Sequence, residues 1–322
     1  MIYDKASLAQ IPSGVGVNTL FSVVPNTSAG DFAYSGATNG TRVNKDGLIE
    51  TIPANVPRLN YNFINGVVQP DPHLLLEPER TQLAEYTNAI SSGNSYILTN
   101  GTLTTNDDIA PDGSNHASTF KATSANGQFQ KVKTGSSGTE YTVSAYVKRK
   151  TGTGKVYLRA VENTNTEVTI YDYWTRVSLT VTSTSTSIRY GIALETSEDE
   201  VYVWGFQVEV GSYPTSLIPN TSTGEITRAV DNAQIASGAG DIIGSQNEGT
   251  LFIDLEIPYD TTLTDYFQFS ISDQNALDNR VFINFRSSEA QFQVFSGGSG
   301  VGFCNTPTPK NIRLKIAGSY ET

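Results

Sequence analysis

Three aromatic residues lie close together in the sequence beside a charged group: Tyr171, Tyr173 and Trp174, with Asp172 between them. Exposed aromatic rings can stack on the apolar face of a sugar, and neighbouring polar groups can hydrogen-bond its hydroxyls. Trp174 does not share the parity of the apolar residues in 177–181, so it faces away from them unless a bulge intervenes. These residues are the candidates for glycan binding. The alternative, which the residue types favour, is an aromatic plug at the edge of the core.

An oxygen-rich segment, residues 106–108 with Asp112 and Asn115, is a candidate for calcium. Calcium needs about six to eight oxygens that converge on one point, and this segment follows no fixed loop pattern. A polar turn is therefore the favoured interpretation. His73 and His116 match no spacing of metal ligands. The sequence predicts no metal site and no cofactor.

No catalytic motif stands out. The chain has no nucleophile elbow, phosphate loop or zinc motif. A glycoside hydrolase needs two carboxylates across a cleft, and 32 acidic residues leave such a pair open without singling one out. Cys304 is the only cysteine, so no intrachain disulfide can form, and we interpret it as an incidental thiol. We predict no catalytic residue.

Length and charge limit the classes of protein to which this chain can belong. The 322 residues suggest two domains, or two domains with an extended arm. A formal net charge of −11 argues against nucleic-acid binding, which needs clustered Lys and Arg. No stretch is apolar for long enough to span a membrane, and we expect no secretory signal at the N-terminus. The expected partners therefore include neither nucleic acid nor membrane.

Turn dipeptides and two-residue alternation dominate the sequence. Asn39-Gly40, Asp46-Gly47 and Asn100-Gly101 are examples of pairs that tolerate positive φ in tight turns. Thr, Ser, Val and Tyr fill the segments between such pairs and suit half-buried strands better than helices. The sequence predicts an all-β protein with an extended N-terminal arm, an antiparallel β-sandwich and part of a second β-sandwich.

The predicted arm, residues 1–83, is rich in proline, which is excluded from central strands. Such an arm buries little of itself, so we expect it to lie against another chain or another protein. Arg42, Arg58 and Arg80 lie among acidic residues and are the candidates for assembly contacts, either by pairing with carboxylates or by gripping a neighbouring subunit. Solvated surface pairs are the alternative, and the structural role is favoured.

Alternating segments between residues 84 and 220 predict two packed antiparallel sheets. Trp204 shares the parity of Phe206 and Val208 and is predicted to lie in the core. The clearest segments are 141–148, 176–182, 188–194 and 204–210.

The last third of the chain contains a predicted linker and a second set of strands. Residues 221–248 are rich in Gly, Ser, Asn and Ala and are predicted to be the linker. Apolar alternation returns within 249–322, in 251–257, 267–271, 281–285 and 312–316. This set spans only about half of an ordinary β-sandwich. We therefore predict that 249–322 are the first part of an incomplete second β-sandwich.

Three stretches carry a resemblance to a known family. They are residues 31–61, which include Thr41-Arg42-Val43-Asn44-Lys45-Asp46-Gly47; Leu74-Leu75-Leu76-Glu77-Pro78-Glu79-Arg80-Thr81; and 203–219, which begin Val203-Trp204-Gly205-Phe206-Gln207. Together they resemble tailed-bacteriophage virion proteins of the tail, fibre or head-fibre type. The resemblance covers residues 8–220 and implies a jelly roll similar to carbohydrate-binding modules at 84–220. Residues 249–322 are similar to the start of a concanavalin-like or laminin-G-like domain.

The resemblance implies a non-enzymatic structural protein of the virion, made in the host cytoplasm. Such a fibre or decoration component is anchored by its N-terminal arm and displays its sandwiches for binding to a host-surface glycan. The expected partners are capsid, tail or fibre subunits, and the expected homo-oligomer is a trimer. The alternative is a phage or bacterial polysaccharide-degrading enzyme whose catalytic part lies outside this chain or late in it. A cellular adhesin is disfavoured because no export signal is expected.

Overall fold

The computed structural model describes residues 6–10, 14–25, 27–87, 90–235, 248–256, 267–272, 280–285, 289–307 and 313–321. The chain divides into two compact units, 1–242 and 243–322. The described residues form strands joined by turns, with short 3₁₀ turns at Ser28–Gly30, Ser92–Asn94 and Val161–Asn163, so the predicted all-β class is confirmed. Among these residues no helix is long and apolar enough to cross a membrane.

The segment predicted to be an arm folds into eight short antiparallel strands. They are β1 (Val15–Gly16), β2 (Thr19–Leu20), β3 (Phe32–Ser35), β4 (Gly40–Val43), β5 (Ile49–Ile52), β6 (Arg58–Ile64), β7 (Val67–Leu75) and β8 (Arg80–Gln82). Strands β1, β2 and β3 are neighbours in a small sheet, and β4-β5 and β6-β7 are separate two-stranded hairpins. The prolines of β7 are tolerated because a two-stranded hairpin consists only of edge strands.

Ten strands form the sandwich of the first unit. They are β9 (Ile97–Thr99), β10 (Gly101–Asp108), β11 (Ala117–Ala122), β12 (Gly127–Thr134), β13 (Glu140–Thr151), β14 (Val156–Ala160), β15 (Thr164–Val168), β16 (Thr175–Thr182), β17 (Ser187–Leu194) and β18 (Glu200–Val210). The front sheet has the order β10-β11-β18-β13-β16, and the back sheet has the order β15-β14-β17-β12-β9. The two five-stranded antiparallel sheets confirm the predicted β-sandwich.

The core between the two sheets follows the predicted alternation. Alternate residues of β13 and β17 point inward and are buried. At the centre, the ring of Phe129 lies 5.7 Å from that of Phe120 and 5.8 Å from that of Phe206, and Tyr190 lies 6.0 Å from Phe206. Tilted aromatic pairs at these distances add to the stabilisation that burial alone provides.

Trp204 is buried, but the prediction that it lies in this core with Phe206 is wrong. Gly205 adopts a positive φ of 64°, and the pairing of β18 with β13 shifts register at this point. Such a bulge reverses the side to which the following residues point. Phe206 therefore faces the core between the sheets, whereas Trp204 packs on the outer face of the front sheet with Ile49 and Leu217.

Part of the predicted linker belongs to the first unit. Strand β19 (Ile226–Arg228) pairs with β8, and β20 (Asn232–Ile235) pairs with β3. The chain thus returns after the sandwich to complete the small sheets of the N-terminal segment. Residues 236–247 of the predicted linker lie outside the described residues.

The second unit contains a two-stranded sheet and a four-stranded sheet. Its strands are β21 (Glu248–Glu256), β22 (Phe267–Ser272), β23 (Arg280–Phe285), β24 (Glu289–Ser296), β25 (Ser299–Pro307) and β26 (Arg313–Glu321). Strand β21 pairs with β26, and the other four follow one another in chain order. Buried Ile283 and Phe285 pack with apolar residues of both sheets, including Ile253 and Ile316. Ile312, predicted to begin the last strand, lies outside the described residues.

The bulge at Gly205 gives a direct test of this fold. An added Cβ would require the left-handed backbone region and would come 3.0 Å from the ring of Tyr146, so Gly205→Ala should destabilise the protein by about 1–2 kcal/mol. Gly224→Ala is the matched control, since its Cβ would meet only Ser222 Oγ at 3.8 Å. Chemical denaturation measures both free energies of unfolding, and equal losses in the two variants would contradict the strained bulge.

Candidate ligand-binding face

The outer face of the front sheet is divided into a covered half and an open half. The covered half lies beneath the N-terminal segment and the loop after β18. Thr41 Oγ1 donates to Leu217 O at 2.5 Å, and Ile49 N donates to Pro111 O at 2.9 Å. Beneath these contacts, Trp204 packs with Ile49 and Leu217. This half of the face is therefore occupied by the chain itself.

The open half presents two aromatic rings and a lysine between them. Lys148 lies directly opposite Tyr202 in the pairing of β13 with β18. Its Nζ lies 4.6 Å from the ring centroid of Tyr202 and 5.2 Å from that of Trp174. The two rings are 6.5 Å apart and inclined by 50°. Each ring is partly exposed. The ammonium group holds both rings in place through cation–π contacts.

Carboxylates border the same rings. Lys148 pairs with Asp108, and Lys150 Nζ lies 2.7 Å from Asp107 Oδ2 and 3.3 Å from Glu200 Oε2. The hydrogen bond from Lys150 lowers the pKa of Asp107, and the hydrogen bond from Thr119 adds to this effect. The carboxylate of Asp107 is therefore a charged acceptor at neutral pH. We call this surface the open face; its residues are Asp107, Asp108, Lys148, Lys150, Trp174 and Tyr202.

The open face has the groups that bind polyhydroxylated ligands. Its rings offer apolar surface for stacking on sugar C–H groups, its ammonium groups donate hydrogen bonds, and its carboxylates accept them from hydroxyls. The lysines and aspartates hold one another in position before any ligand arrives, which lowers the entropic cost of binding.

The structure separates the three aromatic residues that the sequence brought together. Trp174 belongs to the open face, where its Nε1 donates to Ile109 O at 3.1 Å, and it also packs at the edge of the Trp204 cluster. Tyr171 and Tyr173 stack on each other elsewhere, with centroids 4.8 Å apart and planes inclined by 5°. Gly66, at the tip of the β6-β7 hairpin, lies against the ring of Tyr173.

Sequence reasoning missed Tyr202, Lys148 and Lys150 as site residues. The signal was present in the alternation of β13, where Tyr146 and Lys148 fall on the outward parity. What the sequence does not show is the register that places Tyr202 directly opposite Lys148, because that depends on pairing between strands distant in the chain.

The candidate calcium segment does not form a metal site in the described chain. Asp107 and Asp108 pair with lysines of β13, as given above. Asp112 Oδ1 accepts hydrogen bonds from Ser114 N at 2.9 Å and Ser114 Oγ at 2.6 Å, which is the geometry of a polar turn. Among the described residues no group of three His, Cys, Asp or Glu side chains lies close enough to hold a metal ion.

Arg58, one of the three candidate arm arginines, is buried within its own chain. It is 2% exposed, and its guanidinium donates to Thr41 O at 2.9 Å and Ser216 Oγ at 2.7 Å. It also pairs with Glu77 at 2.8 Å and with Asp231. These partners lie in the N-terminal segment, in the loop after β18 and in the segment before β20. Arg58 therefore joins three parts of the first unit.

Arg228 completes this buried group of charges, which we call the ionic cluster: Arg58, Glu77, Arg228 and Asp231. Arg228 lies 3.5 Å from Glu77 and 3.6 Å from Asp231, so two cations face two anions. Burial raises the pKa of Glu77, but Arg228, Arg58 and hydrogen bonds from Ser216 outweigh it and hold the pKa below its usual value. Burial and the hydrogen bond to Asp231 raise the pKa of Tyr34.

The other two arm arginines make more local contacts. Arg42 lies across β4-β5 from Glu50, with its Nε 2.7 Å from Glu50 Oε1, and donates to Leu59 O at 3.3 Å. The guanidinium of Arg80 lies 5.3 Å from the ring centroid of Tyr213. All three arginines thus contact groups of their own chain. A contact with a neighbouring subunit stays a prediction.

Comparisons with known proteins give a similarity to solved structures only. No family model matches the chain, and no curated protein matches it. A Clostridium thermocellum xylanase fragment with CBM22-1 and GH10 modules has a TM-score of 0.33 and 17% identity over 41% of this chain and 29% of its own. The CBM22-1 xylan-binding domain of Paenibacillus barcinonensis has a TM-score of 0.31 and 11% identity. The match covers 41% of this chain and 96% of that domain. The enzymatically active domain of tailspike protein 4 from bacteriophage CBA120 has a TM-score of 0.30 and 11% identity. The match covers 39% of this chain and 22% of the tailspike chain. These values assign neither a family nor a function to this chain.

The ionic cluster predicts a large effect of Glu77→Gln. Removing one charge leaves the two arginines facing a single anion, which should cost about 3–5 kcal/mol of stability at pH 7. Glu50→Gln, at the 37%-exposed partner of Arg42, is the control and should cost at most about 1 kcal/mol. Denaturant unfolding measures both variants, and similar losses would contradict a buried cluster that stabilises the fold.

The same cluster predicts a pH dependence. The folded-state pKa of Glu77 lies below its unfolded value of about 4.5. Ionised Glu77 therefore makes its full contribution to the free energy of unfolding above about pH 4.5. This contribution should be lost as the pH falls through the folded-state pKa. Unfolding free energies between pH 7 and 3 should therefore fall less steeply in Glu77→Gln than in the wild type. Parallel curves would show that Glu77 is not held in its charged form by the cluster.

Proposed function

We propose that this chain is a structural protein of a tailed-bacteriophage particle, without catalytic activity, whose sandwich binds a glycan of the host surface on the open face. The virion assignment rests on the resemblance of residues 8–220 to phage tail and fibre proteins. The glycan assignment rests on one observation: Trp174 and Tyr202 stand partly exposed beside paired lysines and carboxylates. The chain covers the other half of the same sheet face with its own N-terminal segment.

Exposed apolar residues on the β6-β7 hairpin support a contact with other virion proteins. Phe63, Ile64 and Val67 are 42%, 51% and 61% exposed at its end. Pro70 and Pro72 lie in β7 and have no N–H to offer a further strand. A partner would therefore contact side chains rather than extend the sheet. In the proposed function this partner is a capsid, tail or fibre subunit, or another copy in a trimer.

The open face predicts which substitutions weaken glycan binding. Trp174→Ala and Tyr202→Ala should each weaken binding about tenfold or more, because each removes a stacking surface. Tyr171→Ala is the matched control, since that ring lies outside the open face and is 45% exposed. An array of bacterial surface glycans would identify a ligand, and calorimetry would measure its affinity. Loss of binding in Tyr171→Ala alone would move the site to the tyrosine stack.

Immunogold electron microscopy of purified phage particles tests the virion assignment. An antibody against residues 84–220 should place gold on the particle, and its position on head or tail separates decoration from host adhesion. Antigen found only in the lysate would overturn the structural role and favour a free polysaccharide-degrading enzyme. Release of reducing sugar from a bound glycan by the purified protein would contradict the proposal that it has no catalytic activity.

A further inference from the structure

An exposed isoleucine borders the open face. Ile109 follows Asp108, the last residue of β10, and it is 53% exposed. Its backbone oxygen accepts the hydrogen bond from Trp174 Nε1 at 3.1 Å. Ile109 is therefore held between a carboxylate and an indole ring of the open face. It adds an aliphatic side chain to a surface whose other groups are aromatic or charged.

The charges of this surface are already paired with one another. Besides the pairs of Lys148 and Lys150 described above, Lys121 Nζ lies 2.7 Å from Glu198 Oε2 and 3.8 Å from Glu200 Oε1. The carboxylates are those of Asp107, Asp108, Glu198 and Glu200, and the ammonium groups are those of Lys121, Lys148 and Lys150. An acidic sugar would face more negative than positive charge here, and like charges at an interface are costly. A neutral ligand therefore fits this surface better.

The paired groups retain hydrogen-bonding capacity. Asp107 and Asp108 each bind a lysine through Oδ2, and no described residue donates a hydrogen bond to either Oδ1. In the described chain Lys148 Nζ donates only to Asp108, so its ammonium group has further N–H groups for an acceptor. The side chains of Lys148 and Asp108 are 20% and 25% exposed. A ligand lying on the surface can therefore contact both.

We propose that the open face takes an acetamido sugar, which is an N-acetylhexosamine unit of a neutral glycan; this inference rests on the proposed function. The acetamido N–H donates to Asp108 Oδ1, and the acetamido oxygen accepts from Lys148 Nζ. The methyl group packs on Ile109 beside Trp174. A hydroxyl at the same position of the sugar lacks the methyl group, and a protonated amine lacks both the methyl group and an acceptor.

Calorimetry with the full chain tests the acetamido group with three hexasaccharides of the same backbone and linkage. Chitohexaose carries the acetamido group, cellohexaose carries a hydroxyl in its place, and the glucosamine hexamer carries an amine. Chitohexaose should bind at least about tenfold more tightly than either of the others, because only it makes the apolar contact and both hydrogen bonds. Equal binding of the three, or tighter binding of cellohexaose or the glucosamine hexamer, would overturn the proposal.

Ile109→Ser tests the methyl contact. This variant should weaken chitohexaose binding about fivefold and leave cellohexaose binding unchanged, because cellohexaose has no methyl group to lose. The hydrogen bond from Trp174 goes to the backbone of residue 109 and is kept. Ile97→Ser is the matched control, since Ile97 is 47% exposed on β9 of the back sheet. Undiminished chitohexaose binding in Ile109→Ser would overturn the proposal.

Trp174→Ala separates failure of this inference from failure of the proposed function. It should weaken every ligand of the open face, including cellohexaose. If another glycan of the array binds and is lost in Trp174→Ala while chitohexaose does not bind, the acetamido assignment is overturned and the proposed function stands. Binding of no glycan at all would overturn both. Chitohexaose binding that persists in Trp174→Ala would place the acetamido sugar elsewhere and overturn the inference.

Discussion

The first unit depends on the pairing of two buried arginines with two buried carboxylates. Glu77 N donates to Asp231 Oδ2 at 2.9 Å across 154 residues of chain, and Arg58 and Arg228 hold both carboxylates. Burying these charges is costly unless all of them remain paired. The cluster therefore fixes the N-terminal segment and the returning strands β19 and β20 against the sandwich in one arrangement.

This anchoring determines which surfaces of the sandwich stay accessible. The N-terminal segment covers one half of the front sheet and buries Trp204, and it leaves the half with Trp174 and Tyr202 uncovered. The bulge at Gly205 is part of the same arrangement, because it allows Phe206 to face the core while Trp204, just before the bulge, faces the segment that covers it. The open face thus results from where the N-terminal segment ends its contact with the sheet.

The sequence predicted the strands well and their partners poorly. Alternation with a period of two is local, so the buried faces of β13 and β17 could be read directly from the residues. The bulge at Gly205 broke that alternation within one strand, and parity therefore placed Trp204 on the wrong side. Arg58 was recognised as a candidate, but its partner Asp231 lies 173 residues away, and no local pattern specifies such a pair. Tyr202 was missed for the same reason.

The measurement that tests the glycan-binding account most directly is fluorine NMR of the full chain labelled with 5-fluorotryptophan. The chain has two tryptophans and so gives two resonances, which Trp174→Phe assigns. A glycan selected on the array should shift the Trp174 resonance in a saturable way, and Tyr202→Ala should weaken that titration. If calorimetry reports binding while the Trp174 resonance stays still, the glycan binds elsewhere and the open face is not the site.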